Sequence, residues 1–217
     1  DLLRTTGGRE RLLFDMNQRP NAPSPGERDA IVRVVHAKKN DHYAELVNSA
    51  GIGLRDGVLA LMNECRERNV RMGIATTTSR SNVDALLRVH LGARWADVFA
   101  AIVCGEAVQQ KKPDPEVYFK ALSALAIGPL DAVAIEDAPG GVAAARAADI
   151  AVVVTRSAYF ARAPIEGAVA VGPGLHTRQG WRPGLLATPG EARTVDLDDI
   201  EGWCAQMDSI TDHPAEA

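Results

Sequence analysis

Residues Asp131–Asp149, DAVAIEDAPGGVAAARAAD, decide how this chain is read. Ala132 to Ile135 is an apolar run of strand length, the carboxylates Glu136 and Asp137 follow it, and Pro139-Gly140-Gly141 opens an alanine-rich helix. In an open α/β sheet, ligands sit at the carboxyl edge of the strands. Two neighbouring acids at such an edge are hard oxygen ligands for a divalent ion such as Mg²⁺. Gly141 lets the new helix pack close to the strand. The same residues also fit a purely structural corner, with Asp137 as the helix N-cap. The rest of the chain decides between the two.

Outward from this stretch, helix-length and strand-length segments alternate. From Leu54 the pattern predicts a helix over 57–69, a strand over 70–75, a helix over 81–91, a strand over 99–104, a helix over 115–126, a strand over 132–135, a helix over 141–148 and a strand over 151–154. Val169 to Val171 is a further candidate strand, 172–194 reads as a Gly, Pro and Arg-rich loop, and 195–207 as a short strand with a closing helix. This rhythm predicts an α/β fold, a Rossmann-like doubly wound parallel sheet covered by helices. Residues 1–52 carry no strand signal. There Ser24, Pro25 and Glu27 form a capping box with proline at the first helical position. Ile31, Val34, Val35, Tyr43, Leu46 and Val47 then recur at helical spacing until Gly51, with Lys38-Lys39-Asn40-Asp41 on the opposite face. The expected organisation is therefore a helical unit at 1–52 and an α/β unit at 53–217.

Composition narrows the function. The chain has 217 residues, 46% of them hydrophobic, enough for a sizeable core, and a net charge of -4. No broad basic face points to nucleic acid or an anionic membrane. Cys65, Cys104 and Cys204 are far apart and lack CxxC spacing, against a disulfide framework or zinc site. A cytoplasmic, monomeric protein with a small-molecule partner is the expectation. Three loops follow strands that should be neighbours, so their contents should meet. Thr76 and Thr77 offer hydroxyl and backbone N–H groups just before a helix, as a phosphoryl group requires. Lys112, set in KKPDP, supplies a point charge for a phosphate. Glu136 and Asp137 supply the metal-binding acids. Such a set clamps phosphate and metal and stabilises charge on a transferring phosphoryl group. His36 and His42, six residues apart, fall on opposed helix faces and make no metal pair. Trp95, Trp181 and Trp203 are expected to pack in the core.

Taken in order, IATTTS (Ile74 to Ser79), KKPDP (Lys111 to Pro115) and AIEDAPGG with AAARAAD resemble the second, third and fourth motifs of the haloacid dehalogenase superfamily of phosphotransferases. TTGGRERL and AKKNDHY resemble the helical cap of the branch that holds β-phosphoglucomutase, phosphoglycolate phosphatase and the CbbY-like xylulose-bisphosphate phosphatases. The resemblance implies that residues 1–52 are an incomplete helical cap and 53–217 a core without its first strand. It further implies that Thr76 hydrogen-bonds the phosphoryl group, that Thr77 donates its amide with Thr78 beside it, and that Lys112 bridges phosphate and nucleophile. Glu136 and Asp137 would position Mg²⁺, while Arg9, Lys39 and Arg80 would approach the far end of a small phosphorylated sugar or organic acid. The implied activity is Mg²⁺-dependent phosphatase action through an aspartyl phosphate, with a β-phosphoglucomutase-type mutase or a non-catalytic phosphate-binding regulator as alternatives. One departure matters most. The family's nucleophile lies in a DxDGT motif upstream of the cap, and the one DxD here, Asp196-Leu197-Asp198, stands in another context. The expectation is that the nucleophile lies upstream of Asp1 and that the chain as given is inactive. Ala138 replaces a usual serine, and Asp149 a usual glycine, a position where aspartate tolerates the left-handed conformation.

Overall fold

A computed structural model describes residues 7–184 and 194–211. Two helices come first, α1 (Gly8–Asn17) and α2 (Pro25–Ala50). The capping box forms as the sequence predicts: the Ser24 amide donates to Glu27 Oε2 at 2.9 Å, Pro25 opens the helix, and Gly51 closes it at φ +65°. The single apolar stripe expected on α2 is not enclosed as one face. Val32 and Val47 are buried in α2, which touches α1 and α4, whereas Ile31, Val34, Val35 and Leu46 are largely exposed.

The α/β part then runs α3 (Val58–Glu67), β1 (Gly73–Ala75), α4 (Arg80–Leu91), β2 (Ala101–Val103), α5 (Glu116–Leu125), β3 (Val133–Glu136), α6 (Pro139–Ala147), β4 (Ala151–Thr155), β5 (Ala170–Gly172) and α7 (Leu197–Thr211). The named strands pair only in parallel, and one antiparallel bridge joins Val171 to Arg182. β1 pairs with β2 from Gly73↔Ala101 to Ala75↔Val103, β3 with β4 from Val133↔Ala151 to Glu136↔Val154, and β4 with β5 from Val153↔Ala170. One face is packed by α5 and α6 through Val117, Leu122, Val142 and Ala145 onto Ala134, Val152 and Val154. The other is packed by α3 and α7 through Leu61, Ile200 and Trp203 onto Val153 and Ala170. Helices on both faces of a parallel sheet make a doubly wound α/β fold.

The strands form two sheets, β1-β2 and β3-β4-β5, not one. Among the described residues β1 and β3 each have one paired edge, and a cavity of about 240 Å³ lies between them, lined by Gly73, Ala75, Val133, Ile135 and, from α5, Leu122 and Leu125. β1 and β2 are also shorter than the apolar runs that predict them, whereas β3, β4 and β5 reach the expected length. The Val70 amide closes α3 by donating to Cys65 O, and the Phe99 amide donates to Ala96 O in a short 3₁₀ turn, so neither enters a ladder. The short strand expected at Val195 does not form; its amide makes a single bond to Leu175 O. The three tryptophans are buried as expected, with Trp181 stacked on Trp203 at 4.5 Å. Asp149 adopts φ +58°. No described helix is long and apolar enough to cross a membrane.

Candidate active site

The hydroxyl loop begins where β1 ends. The Thr76 amide still donates to Val103 O at 3.0 Å, and the loop then folds back so that the Thr78 amide donates to Thr76 Oγ1 at 3.1 Å. Ser79 caps α4, its Oγ accepting from the Asn82 amide. Gly105, after β2, donates its amide to Thr78 O at 2.7 Å. A Cβ there would stand 2.4 Å from Thr77 O, so only glycine allows this approach.

The loop carrying the lysine is held by its own side chains. Lys111 donates to Gly105 O at 2.6 Å and Val108 O at 3.0 Å, and Glu116 Oε2 accepts from the amides of Gln109 and Gln110. Hydrogen bonds from Lys120 and Gln110 hold the Glu116 carboxyl below its usual range. Lys112 is thereby turned inward. Its Nζ donates to Ala75 O at 2.9 Å and to Glu136 Oε1 at 2.5 Å, and lies 4.7 Å over the Tyr118 ring. The Tyr118 hydroxyl donates to the same Glu136 oxygen. Burial, and then the Glu136 charge, push the Tyr118 phenol well up, so it stays a neutral donor. Lys112 and Glu136 side chains are each 10% exposed, a nearly dry ion pair.

The residues expected to meet do meet in part. Lys112 joins the last residue of β1, next to Thr76, to the last residue of β3. Asp137 follows at the same strand end, half-buried, and does not cap α6; that place belongs to Ala138 with no side-chain bond. The N-cap role expected for Asp137 in the structural alternative is therefore absent. Glu136 packs its other oxygen against the first turn of α6, where a Cβ on Gly141 would stand 2.1 Å from it. No cluster of three or more His, Cys, Asp or Glu side chains gathers for a metal among the described residues. Two acids still fit Mg²⁺, which binds through one or two carboxylates and takes its other oxygens from water and phosphate.

The three outer candidates each have a near neighbour. Arg9 faces Asp29 at 4.0 Å, the Arg80 guanidinium lies 4.9 Å over the Trp95 ring, and Lys39 Nζ sits beside Gly8 and His36. Burial and the neighbouring Lys39 lower the His36 pKa, Arg9 adds to this, and Glu10 and Glu106 oppose it. The DxD at 196–198 is a helix start: the Asp199 amide donates to Asp196 Oδ1 and the Asp196 amide to Asp199 Oδ2. Sequence reasoning missed Tyr118 and Gly105. The signal for Tyr118 was available, a hydroxyl within the buried stripe Val117, Ala121, Leu122 that needs a partner.

Comparison with known proteins agrees with this arrangement. A family model described as haloacid dehalogenase-like hydrolase matches residues 21–155. Protein CbbY of Cupriavidus necator is 40% identical over 204 residues, 93% of this chain and 80% of the relative, and protein CbbY of Rhodobacter capsulatus is 42% identical over 158 residues, 73% and 68%. The crystal structure of CbbY from Rhodobacter sphaeroides in complex with phosphate superposes with a TM-score of 0.70 at 34% identity, over 77% of this chain and 72% of that one. The same protein has been solved, as a mutant, with xylulose-(1,5)bisphosphate. With the strand ends, the lysine loop and the paired acids in this order, the chain belongs to the haloacid dehalogenase-like hydrolases, in their CbbY-like branch.

Proposed function

We propose that these residues serve a Mg²⁺-dependent phosphatase acting on a small sugar phosphate or bisphosphate. The observation that carries this reading is Lys112 bridging Ala75 O and Glu136 Oε1 at the carboxyl edge of two strands. An ammonium in that position can pass one of its donors to a phosphoryl oxygen without leaving Glu136 unpaired. Thr76 and the amides of the loop after it would hold the remaining oxygens. Asp137, with Glu136 behind it, would hold Mg²⁺, which when bound neutralises phosphate charge. Arg9, Lys39 and Arg80 would read the sugar or its second phosphate once the cap closes and excludes water.

The nucleophile in this reading is an aspartate from a DxDGT segment upstream, entering as a strand between β1 and β3, where the two open edges and the apolar cavity would receive it. Its carboxylate would attack phosphorus, a second acid would protonate the leaving oxygen, and water would then hydrolyse the aspartyl phosphate and restore the carboxylate. Cys65, Cys104 and Cys204 are joined by no disulfide, which fits a reducing, cytoplasmic setting. The test is hydrolysis of xylulose 1,5-bisphosphate, phosphoglycolate and β-glucose 1-phosphate, with and without Mg²⁺, by a polypeptide carrying such an upstream strand and by the 217-residue chain. Turnover by the first and none by the second is expected. Phosphate binding without turnover in either would leave a regulatory protein instead.

A further inference from the structure

Both cap helices reach the hydroxyl loop, and they reach it at the same residue. From α2, Asn40 Oδ1 accepts from Asn82 Nδ2 at 3.2 Å, and the same Nδ2 donates to Thr78 Oγ1 at 3.3 Å. From α1, Glu10 faces Lys111 at 4.0 Å; Lys111 donates to Gly105 O, and the Gly105 amide donates to Thr78 O. Thr78 in turn donates its amide to Thr76 Oγ1. Asn82 is buried in α4, so its amide group is fixed in direction and has these partners in place of water.

We infer that Thr78 is the junction through which the position of the cap is passed to the Thr76 hydroxyl, with Asn82 as the positioning residue on the α2 side. If α2 moves away, Asn82 loses one acceptor and its grip on Thr78 Oγ1 is no longer oriented; the Thr76 hydroxyl is then free to turn from the phosphate position. Linkage makes the effect reciprocal: phosphate held at Thr76 must tighten α2 by the same factor that α2 tightens phosphate. The inference rests on reading residues 76–78 as a phosphate loop. It goes beyond that reading in assigning Asn40 and Asn82, which touch no phosphate, a share in the affinity.

The test uses the 217-residue chain, inorganic phosphate with Mg²⁺ as the probe, and two readouts: calorimetric affinity and amide exchange along α2 and at Thr78. Asn82→Ala and Asn40→Ala are each expected to weaken phosphate about fivefold, and the double variant no further, since both cut one path. Phosphate should slow exchange in α2 of the wild type and leave it unchanged in Asn40→Ala. Additive losses, or an Asn40→Ala variant with wild-type affinity and exchange, would overturn the junction. Asn40 is only half-buried on a helix surface, so its variant stands in if Asn82→Ala does not fold. Should the wild type take up no phosphate, the reading of the loop fails separately. The junction is then decided without ligand: faster exchange of the Thr78 amide in Asn40→Ala supports it, and equal exchange sinks it.

Discussion

Strands β3 and β4 lie side by side in register and are built from similar residues, VAIE and AVVVT, yet they live in different surroundings. Val152, Val153 and Val154 of β4 are fully enclosed, with a strand on each side and helices on each face. Val133 and Ile135 of β3 are 37% and 41% exposed, because β3 has a neighbour on one side only among the described residues. Both strands end under a cation. Lys112 holds Glu136 in a nearly dry pair, whereas Arg55 holds Thr155 from outside, donating to its carbonyl at 3.0 Å and hydroxyl at 2.7 Å. The better-enclosed strand has the looser fastening, and the open strand carries the buried charge. Apolar sequence alone does not set burial; the number of paired edges does.

Four expectations would break or sharpen this contrast. The largest concerns Lys112→Met, which strands the Glu136 charge and should cost about 3–5 kcal/mol in urea unfolding, together with all phosphate binding. Arg55→Ala removes bonds to neutral acceptors near solvent and should cost only about 1–2 kcal/mol; equal losses would erase the difference between the two fastenings. Next, Val153→Ala should cost about 2 kcal/mol, as two methyl groups leave a closed core, while Ile135→Ala should cost under about 1 kcal/mol. If a strand added upstream fills the space beside β3, the Ile135→Ala penalty should rise toward that of Val153→Ala. Gly105→Ala follows, with a new methyl pressed on Thr77 O; a loss of about 1–3 kcal/mol and faster amide exchange at 76–79 are expected.

The smallest effect separates the sheet from the two N-terminal helices. His36 has its pKa lowered by burial and by Lys39 from an ordinary value near 6.5. The unfolded chain then binds a proton that the folded chain resists. Stability contributed at His36 is full above that value and is lost as pH falls below it, levelling once the folded imidazole protonates too. Urea midpoints across this window should slope for the wild type and flatten for His36→Gln. A slope unchanged by the substitution would mean that another group governs it.

The rhythm of the fold was legible because each core strand is a compact apolar run ended by glycine, proline or a polar loop. The meeting of Lys112 with Glu136 and with the end of β1 was legible from motif order. The starts of β1 and β2 were not, since Val70 and Phe99 spend their amides on closing preceding turns, a choice made by the geometry of α3 and of the turn at 95–98. The open stripe on α2 was hidden for a similar reason: spacing shows which residues share a face but not whether anything covers it. Tyr118 was passed over although a hydroxyl in an apolar stripe signals the need for a partner; that the partner is Glu136 depends on the rotation of α5 against β3. Arg9, Lys39 and Arg80 were named as ligand contacts, yet each has a local companion that the motif could not foretell.

Helix α5 lies across the seam of the divided sheet, touching β1 and β2 on one side while Ala121 and Leu122 share a core with Ala134 on the other. It acts as a splint. Whatever fills the seam must pack on Leu122 and Leu125, so the occupancy of the middle of the sheet can be read from the outside, by watching how tightly one helix is held.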